Sequence, residues 1–253
     1  MLYRYFIRLS YKGTHYHGWQ IQPGAITVQE VLNKQLSMLL REEIYCVGCG
    51  RTDTGVHAPY FFAHFDTSSS NLSVEKERFI YKLNSVLPYD IAVYDIMPVT
   101  CEAHARFSAI SRTYLYRICQ NKDPFTFDFC HHISRQLDMD KMNKAAQILH
   151  EYTDFTSFSK LHTDVKTNNC RIEKAYWEIS GSELHFYIKA DRFLRNMVRA
   201  IVGTCISIGE DKTSTEQFRK IIESKNRSNA GVSVAAKGLH LIHVDYPKEI
   251  FVK

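Results

Sequence analysis

The sequence contains no apolar stretch approaching the ~18 residues that a membrane-spanning helix needs. Its longest, near Ala200 to Gly209, is interrupted by Thr204 and Ser207. Charge of one sign is also scarce. Lys+Arg 32 against Asp+Glu 27 leaves +5, which permits a polyanionic partner without demanding one. The seven cysteines (Cys46, Cys49, Cys101, Cys119, Cys130, Cys170 and Cys205) are odd in number and scattered in spacing. The start, Met1-Leu2-Tyr3-Arg4, lacks an apolar run of secretory length, so reduced thiols and a cytoplasmic location are expected, with no membrane contact. Cys46-Val47-Gly48-Cys49 has metal-pair spacing, but no second Cys or His pair matches it, which argues against zinc. A P-loop and a dinucleotide-binding fingerprint are likewise missing, as is any Pro-rich, Ser-rich or like-charge linker.

What is present is an ordinary globular composition, 45% hydrophobic and 23% charged over 253 residues, which excludes disorder. Residues 2–10 alternate with period two and predict a strand. Residues 27–40 predict a helix: Thr27 and Glu30 have capping-box spacing, and Val28, Val31, Leu32, Leu36, Leu39 and Leu40 share one face. Strands are expected at 43–49 and 59–65 around a Gly-rich loop, a helix at 74–86 and a strand at 90–99. The order β-α-β-β-α-β then repeats: a strand at 111–120, a helix at 139–150, a hairpin from 170–179 and 184–191, a long apolar helix at 193–208 and a closing strand at 239–244. Thr213 and Glu216 suggest a capping box opening one additional helix. The fold expected is α+β: two ferredoxin-like βαββαβ units, 1–105 and 106–253, with a joined antiparallel central sheet, helices on one face and a catalytic cleft between the halves.

The densest chemical signal is Gly48-Cys49-Gly50-Arg51-Thr52-Asp53-Thr54-Gly55-Val56-His57-Ala58. An acid and a base stand close together in a Gly-rich loop, which can aim a carboxylate into a cleft as nucleophile or general base. On spacing alone a surface turn with an Asp53 side-chain hydrogen bond is the commoner outcome. Asp53-Thr54-Gly55 also has the aspartic-protease tripeptide, but no second D-T-G or D-S-G exists to share a proton with it. Arg192, Arg195 and Arg199 flank the long helix and, at ~100° per residue, fall within roughly a 60° arc. That arc reads either as a solvated basic face or as a phosphate stripe with one arginine turned inward to a carboxylate.

Gly50 to Ala58 resembles the signature of the TruA family of tRNA pseudouridine synthases. Tyr11-Lys12-Gly13-Thr14, Gly18-Trp19-Gln20-Ile21-Gln22 and Thr27-Val28-Gln29 are similar to that family's opening segments. His104-Ala105-Arg106-Phe107-Ser108-Ala109, Arg112-Thr113-Tyr114-Leu115-Tyr116, Asp154-Phe155-Thr156-Ser157-Phe158, Phe193 to Gly203 and Gly238-Leu239-His240-Leu241 continue the match in order, over nearly the whole chain. Two positions depart from the pattern. Cys49 replaces a common alanine and sets a thiol near the site, and Ala235-Ala236-Lys237 lacks a frequent proline.

The resemblance implies isomerisation of uridine to pseudouridine at positions 38 to 40 of the tRNA anticodon arm, with no cofactor and no metal. It implies Asp53 as catalytic nucleophile or base, Tyr114 as a ring stacking on the base and aiding C5 proton removal, and Arg199 as the salt-bridging arginine that keeps Asp53 ionised. Arg51 would hold the base out of the stack, Leu239 would exclude water, and Arg106 would line the cleft. A homodimer is implied, with Lys160, Lys166, Arg192 and Arg195 as candidates for the phosphate track. Three other readings stay open: a non-catalytic RNA-binding protein on the same fold, a pseudouridine synthase with another RNA target, and a nucleosidase, which would need a second carboxylate as acid.

Overall fold

The computed structural model describes residues 2–160 and 167–252. It is a mixed α+β chain that divides into two compact units, Met1–Ile110 with Leu241–Lys253, and Ser111–His240.

The first unit is built on β1 (Tyr3–Tyr11), β2 (Val47–Gly48), β3 (Ala58–Thr67) and β4 (Ile91–Pro98), with α1 (Val28–Leu40) and α2 (Lys76–Val86) between them. The sheet order is β2-β3-β1-β4 and all its pairings are antiparallel. Period two in β1 sends Tyr5, Ile7, Leu9 and Tyr11 to one face, and all four are buried. On the other face Phe6 is buried under Tyr246 and Phe251, whose rings meet it edge-on at 5.1 and 6.0 Å. Thr27 caps α1 by accepting from the Glu30 amide, which leaves Val28, Leu32 and Leu36 facing inward. The strand expected over 43–49 contracts to two paired residues. Upstream, the Cys46 and Ile44 amides are satisfied by the side chains of Asn33 and Ser37 rather than by a neighbouring strand.

The second unit contains β5 (Ser111–Cys119), β6 (His131–His132), α3 (Met139–Ile148), β7 (Ile172–Ser180), β8 (Glu183–Ala190), α4 (Met197–Gly209) and α5 (Thr215–Glu223). Its strands run in the order β6-β5-β8-β7, antiparallel except for the short parallel pairing of β6 with β5. Strand β6 has no counterpart in the expected order. The strand β9 (Leu239–Asp245) begins in this unit and ends in the first.

The helix expected from residue 193 starts at Met197, because Asn196 sits at φ 67, in the left-handed region that a helix interior does not use. Arg192 and Arg195 therefore precede α4, and the three arginines form no stripe on one helix. The capping box of α5 is shifted by one residue: Ser214 accepts from the Gln217 amide, and the Gln217 side chain accepts from the Ser214 amide. Helix α4 is buried on nearly every side, and none of the helices described is long and apolar enough to cross a membrane.

Candidate active site

Asp53 lies half-buried on the loop between β2 and β3, and the backbone on either side of it is fixed. The Asp53 carbonyl accepts from the Val56 amide at 3.1 Å, closing a tight turn whose Gly55 has φ 79. The Gly55 amide donates to the Tyr16 carbonyl at 3.3 Å. One residue earlier, the Thr52 hydroxyl meets the Tyr11 hydroxyl at 2.8 Å in a buried contact, and the Thr52 carbonyl accepts from the Trp19 amide at 3.4 Å. Gly18, at φ 82, lets the two segments touch: a Cβ there would lie 2.2 Å from the Thr52 carbonyl oxygen.

The far end of the loop is held by His57, which is buried. Its Nδ1 accepts from the Gly13 amide at 3.0 Å, so the ring proton resides on Nε2. Its carbonyl accepts from the Leu241 amide at 2.9 Å. At the near end, the Cys49 amide donates to Phe62 at 2.7 Å, and the buried Trp19 ring lies 4.3 Å from Phe61. The loop thus rests on the segment from Tyr11 to Trp19, which explains in physical terms why both segments carry recognisable motifs. Such anchoring fixes the backbone that carries the Asp53 side chain.

Arg51 is exposed and donates through Nε to Gln20 at 3.1 Å. Arg106 is also exposed, its guanidinium 5.5 Å from the Phe107 ring centroid, on a segment that two histidines fasten. His104 Nδ1 accepts from the Arg106 and Phe107 amides at 3.1 and 3.3 Å, and His64 Nδ1 accepts from Ala105 at 3.1 Å. Arg4 bonds the Cys101 and Ala103 carbonyls and forms a two-point ion pair with Asp66. Burial, then the neighbouring His104 and Arg4, pulls His64 down to about 4, while Asp66 opposes the shift.

The remaining expected site residues belong to the second unit. Tyr114, opposite Ile188 in the β5–β8 register, is half-buried with its ring edge-on to Phe193 at 5.1 Å. Arg199 stands in the first turn of α4, its Nε donating to the Val234 carbonyl at 2.8 Å. Leu239 opens β9 and is buried. Lys166 lies outside the described residues. Of the partners that hold these groups, Tyr11, His57 and Tyr116 lie within motifs read from the sequence but carry no expected role there, while Tyr16 and residues 231–234 belong to no motif and leave no local signal. All seven cysteines carry free thiols, and Cys46 and Cys49 are both buried.

A family model described as tRNA pseudouridine synthase matches residues 145–247. Among curated proteins, one from Bacteroides fragilis named tRNA pseudouridine synthase A is 53% identical over 249 residues, covering 98% of both chains. A protein of the same name from Parabacteroides distasonis is 51% identical over 98% of both chains. Another, from a Thermoanaerobacter species, is 41% identical over 95% of this chain and 98% of its own. With that identity sustained along almost its whole length, and with the signature loop built around Asp53, the chain belongs to the tRNA pseudouridine synthase A (TruA) family.

Proposed function

We propose that this protein isomerises uridine to pseudouridine at positions 38, 39 or 40 in the anticodon stem-loop of tRNA, with Asp53 as the catalytic carboxylate. The observation that carries this reading is the clamped loop around Asp53 in a chain 53% identical to a tRNA pseudouridine synthase A. The chemistry balances within one nucleotide. The bond from N1 to C1′ breaks, a bond from C5 to C1′ forms, C5 loses a proton and N1 gains one. No electrons are exchanged, so neither a redox cofactor nor ATP is required.

Within that reaction Asp53 acts as nucleophile or base, on the nucleobase or on the sugar. Arg199 pairs with it, and Tyr114 stacks on the base and assists removal of the C5 proton. Arg51 supports the extruded base, a step costing a few kcal/mol, while Leu239 keeps water from the intermediate. Arg106 lines the approach. The finer architecture is two ferredoxin-like units. The order β2-β3-β1-β4 with α1 and α2 as connections supports this for the first unit. A cytoplasmic homodimer with Lys160, Arg192 and Arg195 contacting phosphates completes the reading.

The test uses unmodified tRNA transcript with EDTA and without ATP, followed by carbodiimide mapping of pseudouridine. New stops at 38 to 40 are expected. Asp53→Asn and Asp53→Ala are expected to lose them completely while keeping the wild-type circular dichroism spectrum. Activity retained in either variant removes Asp53 from the mechanism.

A further inference from the structure

Residues 231–234 run as a strap along α4, and two of the bonds that fasten it are exchanged with Arg199. The Val234 amide donates to the Arg199 carbonyl at 3.3 Å, and Arg199 Nε donates back to the Val234 carbonyl at 2.8 Å. The strap is seated on either side of that exchange. The Gly231 amide donates to the Thr204 hydroxyl at 3.0 Å. Asn196, in its left-handed conformation, reaches the Ser233 hydroxyl at 2.5 Å. Gly203 leaves the strap room to lie down, since a Cβ there would stand 1.9 Å from the Val232 carbonyl oxygen.

The next carbonyl along, Ala235, accepts from the Tyr116 hydroxyl at 2.8 Å. Tyr116 is fully buried, and its oxygen also lies 3.0 Å from His131 Nδ1. A phenol has one proton. The carbonyl of Ala235 can only accept, so that proton is committed to Ala235, and His131 must donate through Nδ1–H. Gly238 packs on the same ring: a Cβ there would approach Tyr116 Cζ to 2.8 Å. Burial raises Tyr116 far above the ordinary range, with the nearby Arg199 charge opposing, so the donor remains protonated at any working pH.

We propose that Tyr116, oriented by His131, is a positioning residue for Arg199: it pins the strap at Ala235 and so fixes the Val234 carbonyl that aims the guanidinium. Tyr116 and Tyr114 are two residues apart on one strand, so a single face of β5 carries both the ring expected to meet substrate and the hydroxyl that holds the strap. The proposal rests on the pseudouridine synthase reading for the role of Arg199.

The experiment measures kcat and KM on tRNA for wild type, Tyr116→Phe, Arg199→Lys and the double variant, with Asp53→Asn as control. Tyr116→Phe keeps the ring and loses only the hydroxyl. A fall in kcat of about 10- to 100-fold is expected, with KM within about 3-fold of wild type. In the Arg199→Lys background, which lacks Nε, the same change is expected to cost nothing further. His131→Ala, a second route should Tyr116→Phe fold poorly, is expected to lower kcat in the same way by a smaller factor. In parallel, amide exchange at Val234 is expected to quicken about tenfold in Tyr116→Phe. Unchanged kcat, losses that multiply in the double variant, or unchanged exchange at Val234 would each overturn the proposal. An inactive wild type with the expected exchange change would instead count against the pseudouridine synthase reading alone.

Discussion

At the scale of single residues, the two histidines that fasten the 100–108 segment, together with His131, which burial also lowers, make the protein less stable as pH falls. His64 is buried between His104, Arg4 and Asp66 and accepts the Ala105 amide. Its ordinary value is 6.5 and its value here is about 4, so between these the unfolded chain takes up a proton that the folded form refuses. Its contribution to stability is therefore complete above pH 6.5, is lost progressively as pH falls, and is exhausted near pH 4. At about 1.4 kcal/mol per pH unit the loss is at most about 3 kcal/mol, and screening by nearby solvent reduces it. Burial lowers His104 as well, with Arg4 and Arg106 adding to the shift, so it acts in the same direction. Thermal melts across pH 4 to 6.5 should show this decline. His64→Gln keeps an acceptor for Ala105 without a titrating proton and is expected to flatten it; an unaltered slope in the variant would remove His64 as the cause.

At the scale of elements, the loop that carries Asp53 and the strap that meets Arg199 share one construction. In each, a glycine allows two backbones to approach more closely than a Cβ would permit. Gly18→Ala imposes both a φ of 82 on alanine and an overlap with Thr52. A loss of about 2–3 kcal/mol is expected in chemical denaturation, together with more than tenfold lower activity, because the displaced segment is the one that presents Asp53. Gly203→Ala has the opposite balance within α4. The helix gains about 1 kcal/mol of intrinsic propensity, yet the new methyl group occupies the place of the Val232 carbonyl. Net destabilisation of at least about 1 kcal/mol is expected, with faster exchange confined to the strap. A more stable variant would show that the strap yields without consequence. The motif Asp154-Phe155-Thr156-Ser157-Phe158 also proves to be an anchoring device. Asp154 caps the Thr156 turn and pairs with Lys225, and the Ser157 hydroxyl bonds to α5 at Ile221.

At the scale of the whole molecule, net charge and assembly are the properties to measure. A chain of +5 that binds tRNA through phosphates should lose affinity linearly in log[salt]. Arg192→Ala is expected to reduce that slope by about one while leaving the modified positions unchanged. An identical slope would take Arg192 off the phosphate track. Light scattering is expected to return about twice the 29.4 kDa chain mass; a value near one chain would overturn the homodimer.

The order of the longer strands and helices, the buried face of β1, the cap of α1 and the signature loop were legible along the chain. Each depends on residues within a few positions of one another: alternation, capping spacing, or glycines flanking a carboxylate. Legibility failed where distant segments decide the outcome. Strand 43–49 contracts because Asn33 and Ser37 take its amides, the long helix begins late because Asn196 turns away to reach Ser233, and β6 exists because residues 131–132 come to lie beside β5. The chemical groups of the expected site residues are set by the sequence, since a carboxylate, a phenol and a guanidinium are what they are wherever they sit. How each is held is decided by folding. Asp53 is held through Thr52, Gly55 and His57, whose partners lie at positions 11 to 19, and Arg199 is held through a carbonyl 35 positions away. Backbone hydrogen bonds between remote segments leave no periodic trace in a sequence, and those bonds are what aim the groups.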